Sequence, residues 1–364
     1  VTFADALVDW QRRAGRHDLP WQRTRDPYRI WVSEIMLQQT QVSTVLGYYA
    51  RFLASYPDVA ALAAAPIDDV LRHWSGLGYY SRARNLHAAA RALADLHGGA
   101  FPTDPEALEA LPGIGRSTAA AIAAFSSGTR VPILDGNVKR VLCRVFGVEG
   151  FPGERAVEQR LWALAAREMP EAGEGRIETY TQALMDLGAT VCVRTKPRCD
   201  ACPVAGRCVA RAQGRVDALP APRPARAVGT RGAHWALVRA GDAVLLERRT
   251  ASGLWGGLWS LPEVVAPGEA VTPDAVDADS VAAWVRVRLG LDADAAAVAP
   301  LGDVRHAFTH FRLRARVWSM RVEPSAAAPA DHLWLALGDA ADAPLPRPVK
   351  VLLTGLAAPG GGLF

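Results

Sequence analysis

Four cysteines fall within one short stretch, spaced Cys192-x6-Cys199-x2-Cys202-x5-Cys208, and the fifth, Cys143, stands apart. A cluster this tight reads as metal ligands rather than disulfides, and four thiolates can hold either a tetrahedral zinc ion or a 4Fe-4S cluster. Ligand count does not separate the two. The first loop carries Arg194, Lys196 and Arg198, and a small cationic loop pinned at both ends by a bound group suits a phosphate. Upstream, WVSEIMLQQTQV sets Glu34 among Ile30, Trp31, Ile35, Met36 and Leu37. A carboxyl in apolar company keeps its proton to a higher pH than usual, although a lone helix Glu is also the ordinary solvated face residue. In LPGIGRSTAAAIAAF, Gly113 and Gly115 form a tight turn before an amphipathic helix. Such a turn exposes backbone N–H groups at a positive helix end and holds a phosphate without a side chain; a plain connection between helices looks the same. Asp135, 20 residues after Gly115 in PILDGNVKRVL, reads as the N-cap of the next helix, where N–H groups favour its anion. A desolvated acid and an ionised partner are the equipment of general acid catalysis with charge stabilisation.

The elements that must carry these residues follow from the hydrophobic pattern. Apolar residues recur at helical spacing in 30–53, 81–97, 115–126, 135–147, 156–168 and 177–190, with Gly and Pro between. The stretch 214–231 holds Pro220, Pro222 and Pro224 and reads as a semi-rigid linker. A different texture follows. Two short apolar runs flank Ala240-Gly241-Asp242 as a hairpin, 310–320 alternates like a half-buried strand, and 279–290 reads as one helix. At 364 residues the chain suits two cores, so the expectation is multidomain: an all-α domain over 1–213, the linker 214–231, and an α+β domain over 232–364. Forty-one Lys and Arg against 37 Asp and Glu give a net +4, too mild to name a partner. Only Lys139, Lys196 and Lys350 are lysines. No apolar run reaches the length of a membrane span and the N-terminus lacks a signal-peptide pattern, which points to a cytoplasmic protein.

LPGIGRSTA followed by Asp135 resembles the helix-hairpin-helix DNA glycosylase superfamily, and the cysteine spacing resembles the cluster loop of its endonuclease III branch. SEIMLQQTQV, LDGNVKR, LPWQ and GLGYYSRARNL extend the resemblance to the MutY-type adenine DNA glycosylases across essentially the whole chain. That resemblance implies one 4Fe-4S cluster on Cys192, Cys199, Cys202 and Cys208. It implies a substrate of double-stranded DNA with adenine mispaired with 8-oxoguanine or guanine, cut by a monomeric, nucleoid-associated enzyme. Glu34 would protonate adenine N7 and activate water, Asp135 would face the sugar cation, and Asn137 would orient the site. Gln39 and Tyr79 would wedge the gap left by the flipped base, Trp21 and Gln182 would line the adenine pocket, and Gly113, Gly115, Ser117 and Lys139 would contact DNA with the loop cations. Where bifunctional relatives carry a Schiff-base Lys this chain has Ser117, so the expected enzyme is monofunctional; the alternative is an endonuclease III-like glycosylase-lyase for oxidised pyrimidines. The second domain resembles the Nudix-like domain of the same glycosylases. Its helix segment VAAWVRVRLG lacks the Glu residues of a Nudix hydrolase, and Phe308, Thr309 and His310 match a Phe-Ser-His element that would read 8-oxoguanine, with Thr in place of Ser.

Overall fold

The computed structural model describes residues 1–224, 228–250, 253–264, 276–308, 310–323 and 327–358. The chain divides into two compact units: Val1–Pro66 with Arg82–Ala225, and Ile67–Ser81 with Arg226–Phe364. In chain order the helices of the first part are α1 Phe3–Ala14, α2 Pro27–Leu37, α3 Val42–Ser55 and α4 Val59–Ala64; α5 Ile67–His73, which belongs to the second unit; then α6 Ser81–His97, α7 Pro105–Glu109, α8 Arg116–Ser127, α9 Gly136–Phe146, α10 Arg155–Arg167, α11 Arg176–Asp186 and α12 Val209–Ala212.

Side-chain caps start many of these helices. Thr2 and Asp5 make a reciprocal capping box on α1, Asp26 caps α2 with Pro27 at its first position, and Asp104 and Asp135 cap α7 and α9. The helix predicted over 30–53 is in fact two, α2 and α3, because the chain turns over Gln38–Gln41 with Gln39 in the left-handed region at φ 58°. Arg82 explains the break. Its Nη1 donates to the carbonyls of Ile35, Met36 and Gln38 at 2.9, 2.8 and 2.6 Å, satisfying oxygens that the helix end leaves open. The helix predicted over 177–190 likewise ends at Asp186 and widens into a π turn over Leu187–Val191. The core of this unit packs α1, α8, α9, α10 and α11 around Leu7, Ala121, Leu142, Leu161 and Leu184, and Cys143 lies in it fully buried, as a small apolar residue should.

The second unit contains β1 Gly229–Ala240, β2 Ala243–Arg248, β3 Trp259–Ser260, α13 Ala278–Trp284, β4 Ala299–Ala307, β5 Phe311–Arg321, β6 His332–Ala336 and α14 Arg347–Ala357. The sheet runs β3-β2-β1-β5-β4 with β6 also on β2; β1 and β5 are parallel and the other pairs antiparallel. Residues alternate across it as a two-faced sheet requires. Trp235, Leu237, Leu246 and Val317 pack toward α14, and Ala236, Val238, Leu245 and Met320 toward α13. The hairpin at Gly241 and the strand over 310–320 stand where their patterns put them, while the helix over 279–290 closes as a π turn from Val285. The ends of the predicted linker are ordered differently: Leu219 is buried with its carbonyl accepting from Arg144 Nε at 2.8 Å, and β1 already begins at Gly229.

Candidate active site and cysteine loop

α2 buries Ile30, Trp31, Val32, Ile35 and Met36, which leaves Glu34 half-buried at the edge of that apolar face. It lines a cavity of about 1450 Å³ together with Trp21, Gln39, Ser117, Asp135, Asn137, Gln182 and Arg194. Trp21 is itself buried and meets Tyr49 edge-on at 5.3 Å. Residues from six stretches of the chain thus converge on one space. Tyr79, Gly113, Gly115, Lys139, Lys196 and Arg198 do not line it.

Two of its carboxyls, Glu34 and Asp135, are treated differently. Desolvation, helped by the neighbouring Asp135 charge, pushes Glu34 up to about 8, so the acid is protonated at neutral pH. Asp135 Oδ1 accepts the Val138 N–H at 2.7 Å as the N-cap of α9. Burial raises Asp135 too, against the pull of backbone N–H groups, Arg140 and Lys139. The helix-start N–H groups expected to favour its anion are present, but burial is the larger effect and the hydrogen bonds and cations oppose it. Of the pair, Asp135 is the better place for a charge, because backbone donors are aimed at it, whereas among the described residues none is aimed at Glu34.

Asn137 Oδ1 accepts from Arg140 Nη2 at 2.8 Å, which fixes the amide, and a Cβ on Gly188 would meet Asn137 Cβ at 2.6 Å. Gln182 is fixed as well. Its Nε2 donates to Asp186 Oδ1 at 2.8 Å, leaving Oε1 as the end free to accept from a ligand. Asp186 is fully buried and also accepts from the Arg16 backbone N–H at 2.8 Å and its guanidinium at 2.6 and 2.7 Å.

In the hairpin, Gly113 has φ 76° and a Cβ there would fall 2.5 Å from Asn85 Cβ, so glycine is required twice over. Gly115 is the N-cap of α8 with open space around it. Ser117 Oγ accepts the Leu134 N–H at 3.0 Å and ties the hairpin helix to the strand of chain before Asp135.

All four clustered cysteines line one small chamber, closed by Val141, Leu187, Val191 and Arg144 among others. Burial there pushes Cys202 up to about 11 and raises Cys199, so these two thiols resist losing their protons without a cation beside them. Among the described residues no three His, Cys, Asp or Glu side chains form a ready site for a single ion. Two arginines one helical turn apart on α9 hold the loop. Arg140 Nε donates to the Cys192 carbonyl at 2.8 Å, and the buried Arg144 donates to Cys192 Sγ at 3.4 Å, the Val193 carbonyl at 2.7 Å and the Arg194 carbonyl at 3.1 Å. Of the loop cations, Arg194 and Lys196 are exposed, Lys196 with a left-handed φ of 51°, while Arg198 folds back on the Thr190 carbonyl. Lys139 pairs with Glu158 at 2.5 Å.

Residues 32–167 match the model of the HhH-GPD superfamily of base excision DNA repair proteins, and 234–355 that of the NUDIX domain. The adenine DNA glycosylase of Buchnera aphidicola subsp. Acyrthosiphon pisum is 35% identical over 74% of this chain and 76% of its own length; that of Homo sapiens is 34% identical over 92% and 70%. The chain belongs to the adenine DNA glycosylase family. A solved thermostable thymine-DNA glycosylase, 29% identical, superposes with a TM-score of 0.52 over 58% of this chain and 95% of that one. The two domains are therefore a helix-hairpin-helix glycosylase fold and a Nudix fold, and the enzyme is a DNA glycosylase that removes adenine in base excision repair.

In this glycosylase's second unit, Phe308 stacks on Phe311 with centroids 4.6 Å apart and packs against Trp255 and His306. His310 is exposed, and Thr309 lies outside the described residues. Sequence reasoning missed Arg82, Arg140, Arg144, Arg16 and Asp186. LDGNVKRVLCR does contain a signal: Arg140 and Arg144 sit four apart on the helix that Asp135 caps. Nothing local announces the Arg16–Asp186 pair. No helix among the described residues is long and apolar enough to cross a membrane.

Proposed function

We propose that the enzyme hydrolyses the N-glycosidic bond of adenine paired with 8-oxoguanine or guanine in duplex DNA and leaves the strand uncut. The observation that carries this reading is the pair of carboxyls in one cavity, Glu34 holding its proton to about 8 and Asp135 with donors trained on it. Adenine leaves poorly as an anion. Glu34 gives a proton to N7, the bond to C1′ breaks as the sugar gains oxocarbenium character, and the Asp135 charge stabilises that cation until water, deprotonated by Glu34, adds. Asn137 holds the arrangement, Trp21 is a wall of the base pocket, and Gln182 offers its carbonyl to the adenine amine. Strand cleavage requires an amine nucleophile; Ser117 has none and its hydroxyl is engaged with Leu134, while Lys139 is paired with Glu158.

Extrusion of the base leaves a gap. Gln39 and Tyr79 fill it, and their left-handed backbones, φ 58° and 48°, are the sparsely populated conformations that concentrate at such sites. Gly113, Gly115, Arg194, Lys196 and Arg198 contact the phosphates, and Phe308, Thr309 and His310 read 8-oxoguanine. Cys192, Cys199, Cys202 and Cys208 hold one 4Fe-4S cluster; soft sulfur donors around an apolar chamber suit it. The cluster, when bound, supplies a four-point staple for the loop. Iron and acid-labile sulfide in the purified protein are expected; an active zinc-loaded preparation refutes the cluster.

The decisive experiment is single-turnover base release from A:8-oxoguanine, A:G and thymine-glycol duplexes, with and without alkali. Adenine release that yields strand breaks only after alkali is the expected result. Thymine-glycol release with borohydride-trappable strand cleavage would establish the endonuclease III-like alternative.

A further inference from the structure

Ile67–Ser81 lies in sequence between helices of the glycosylase fold, yet it groups with the Nudix sheet as part of the second unit. Side-chain contacts among the described residues join it there. Arg248 of β2 pairs with Asp68 of α5 at 2.7 Å; Lys350 of α14 donates to Ser75 Oγ at 2.7 Å and to the Ala341 carbonyl at 2.7 Å; and the Tyr80 hydroxyl donates to the Leu345 carbonyl at 3.4 Å. These contacts bracket a turn that needs support. Gly76, Gly78 and Tyr79 all have positive φ, at 99°, 73° and 48°. Inside it the Trp74 indole donates to the Gly78 carbonyl at 3.2 Å and the Gly76 N–H to the Tyr80 hydroxyl at 3.4 Å. A non-glycine residue persists in such a conformation only where its surroundings over-determine it. The Tyr79 side chain, 53% exposed, is what the turn displays.

We infer that Ile67–Ser81 is a latch held by the Nudix fold, with Lys350 and Arg248 as positioning residues that set how Tyr79 is presented to the duplex. The inference rests on the reading of Tyr79 as a wedge. Its consequence is that the C-terminal fold contributes to excision in two ways, by reading the opposite base and by bracing the wedge, and the second way serves A:G and A:8-oxoguanine alike.

Hydrogen exchange on the full-length protein tests the latch without any substrate. A hydrogen bond from a charged donor holds a turn closed by a factor of about ten or more, so Lys350→Met should speed exchange of the 74–80 amides by about tenfold while the sheet keeps its protection. Lys350→Arg should restore slow exchange. Asp68→Arg, which opposes two cations, should behave like Lys350→Met and be rescued by Arg248→Asp; this pair serves if Lys350→Met folds poorly. Unchanged protection of the turn in both variants overturns the latch. A cycle with Tyr79→Ala then tests the role: the loss of excision on both mispairs from Lys350→Met should vanish in the Tyr79→Ala background, and additive losses overturn the positioning role. If Tyr79→Ala excises both mispairs normally, the wedge reading falls, whereas the exchange result still decides whether the latch exists.

Discussion

The cavity walls built by α2 and by α11 each rest on a desolvated carboxyl, and the two are handled in opposite ways. Behind Gln182, Asp186 receives the Arg16 backbone N–H, the Arg16 guanidinium and the Gln182 amide. On α2, Glu34 has apolar neighbours and a second carboxyl, with no hydrogen bond to its own among the described residues, and responds by keeping its proton. Burial with full hydrogen-bond compensation makes a carboxyl part of the scaffold; burial without it keeps the proton on. Asp135 stands between them, desolvated but given the Val138 N–H.

Glu34→Gln is the sharpest way to probe the difference. The amide keeps the shape and has no proton to give, so single-turnover excision should fall about 10²–10⁴-fold with duplex binding little changed. The same substitution should stabilise the fold in alkali. Glu34 is raised from 4.5 to about 8 in the folded state, so its contribution to stability is present below 4.5 and is lost as pH rises to about 8. The variant escapes that loss and should melt above the wild type at pH values beyond about 8, where wild-type excision also declines as Glu34 ionises. Weakened binding with near-normal excision would make Glu34 structural and erase the contrast.

Asp135→Asn should cost excision about 10²–10³-fold, the scale of removing one element of electrostatic stabilisation, while the capping oxygen preserves α9. A large loss of thermal stability instead would show that the cap outweighs the charge.

The smallest effect belongs to Asp186→Asn. Breaking a buried pair costs about 3–5 kcal/mol, and since the Arg16 side chain is 29% exposed the loss should be nearer about 1–3 kcal/mol, read from the urea midpoint. Because Asp186 aims the Gln182 carbonyl, the variant should also excise adenine less well while keeping its rate on purine, which lacks the amine. Equal losses on both bases would leave Asp186 with a purely structural part.

Much of this was legible in the chain. Asp135 announced itself as an N-cap, Gly113 as a required glycine, the four cysteines as one site, and 234–249 as a hairpin, because each depends on neighbours a few positions away. Periodicity failed where a distant residue intervened. The apolar pattern of 30–53 runs on as if helical, and it is Arg82, arriving from α6, that takes the Ile35, Met36 and Gln38 carbonyls where α2 ends.

The sequence by itself determined which residues are able to do chemistry: two carboxyls, a glycine hairpin and a thiol cluster. Tertiary structure alone decided their protonation and their aim. Glu34 and Asp135 are separated by about a hundred positions and perturb each other across the cavity, Arg16 reaches Asp186 over 170 positions, and Lys350 meets Ser75 over 275. The physical reason is that desolvation and Coulomb interactions depend on distance in space and on the water excluded around a group, and neither quantity exists until the chain has folded.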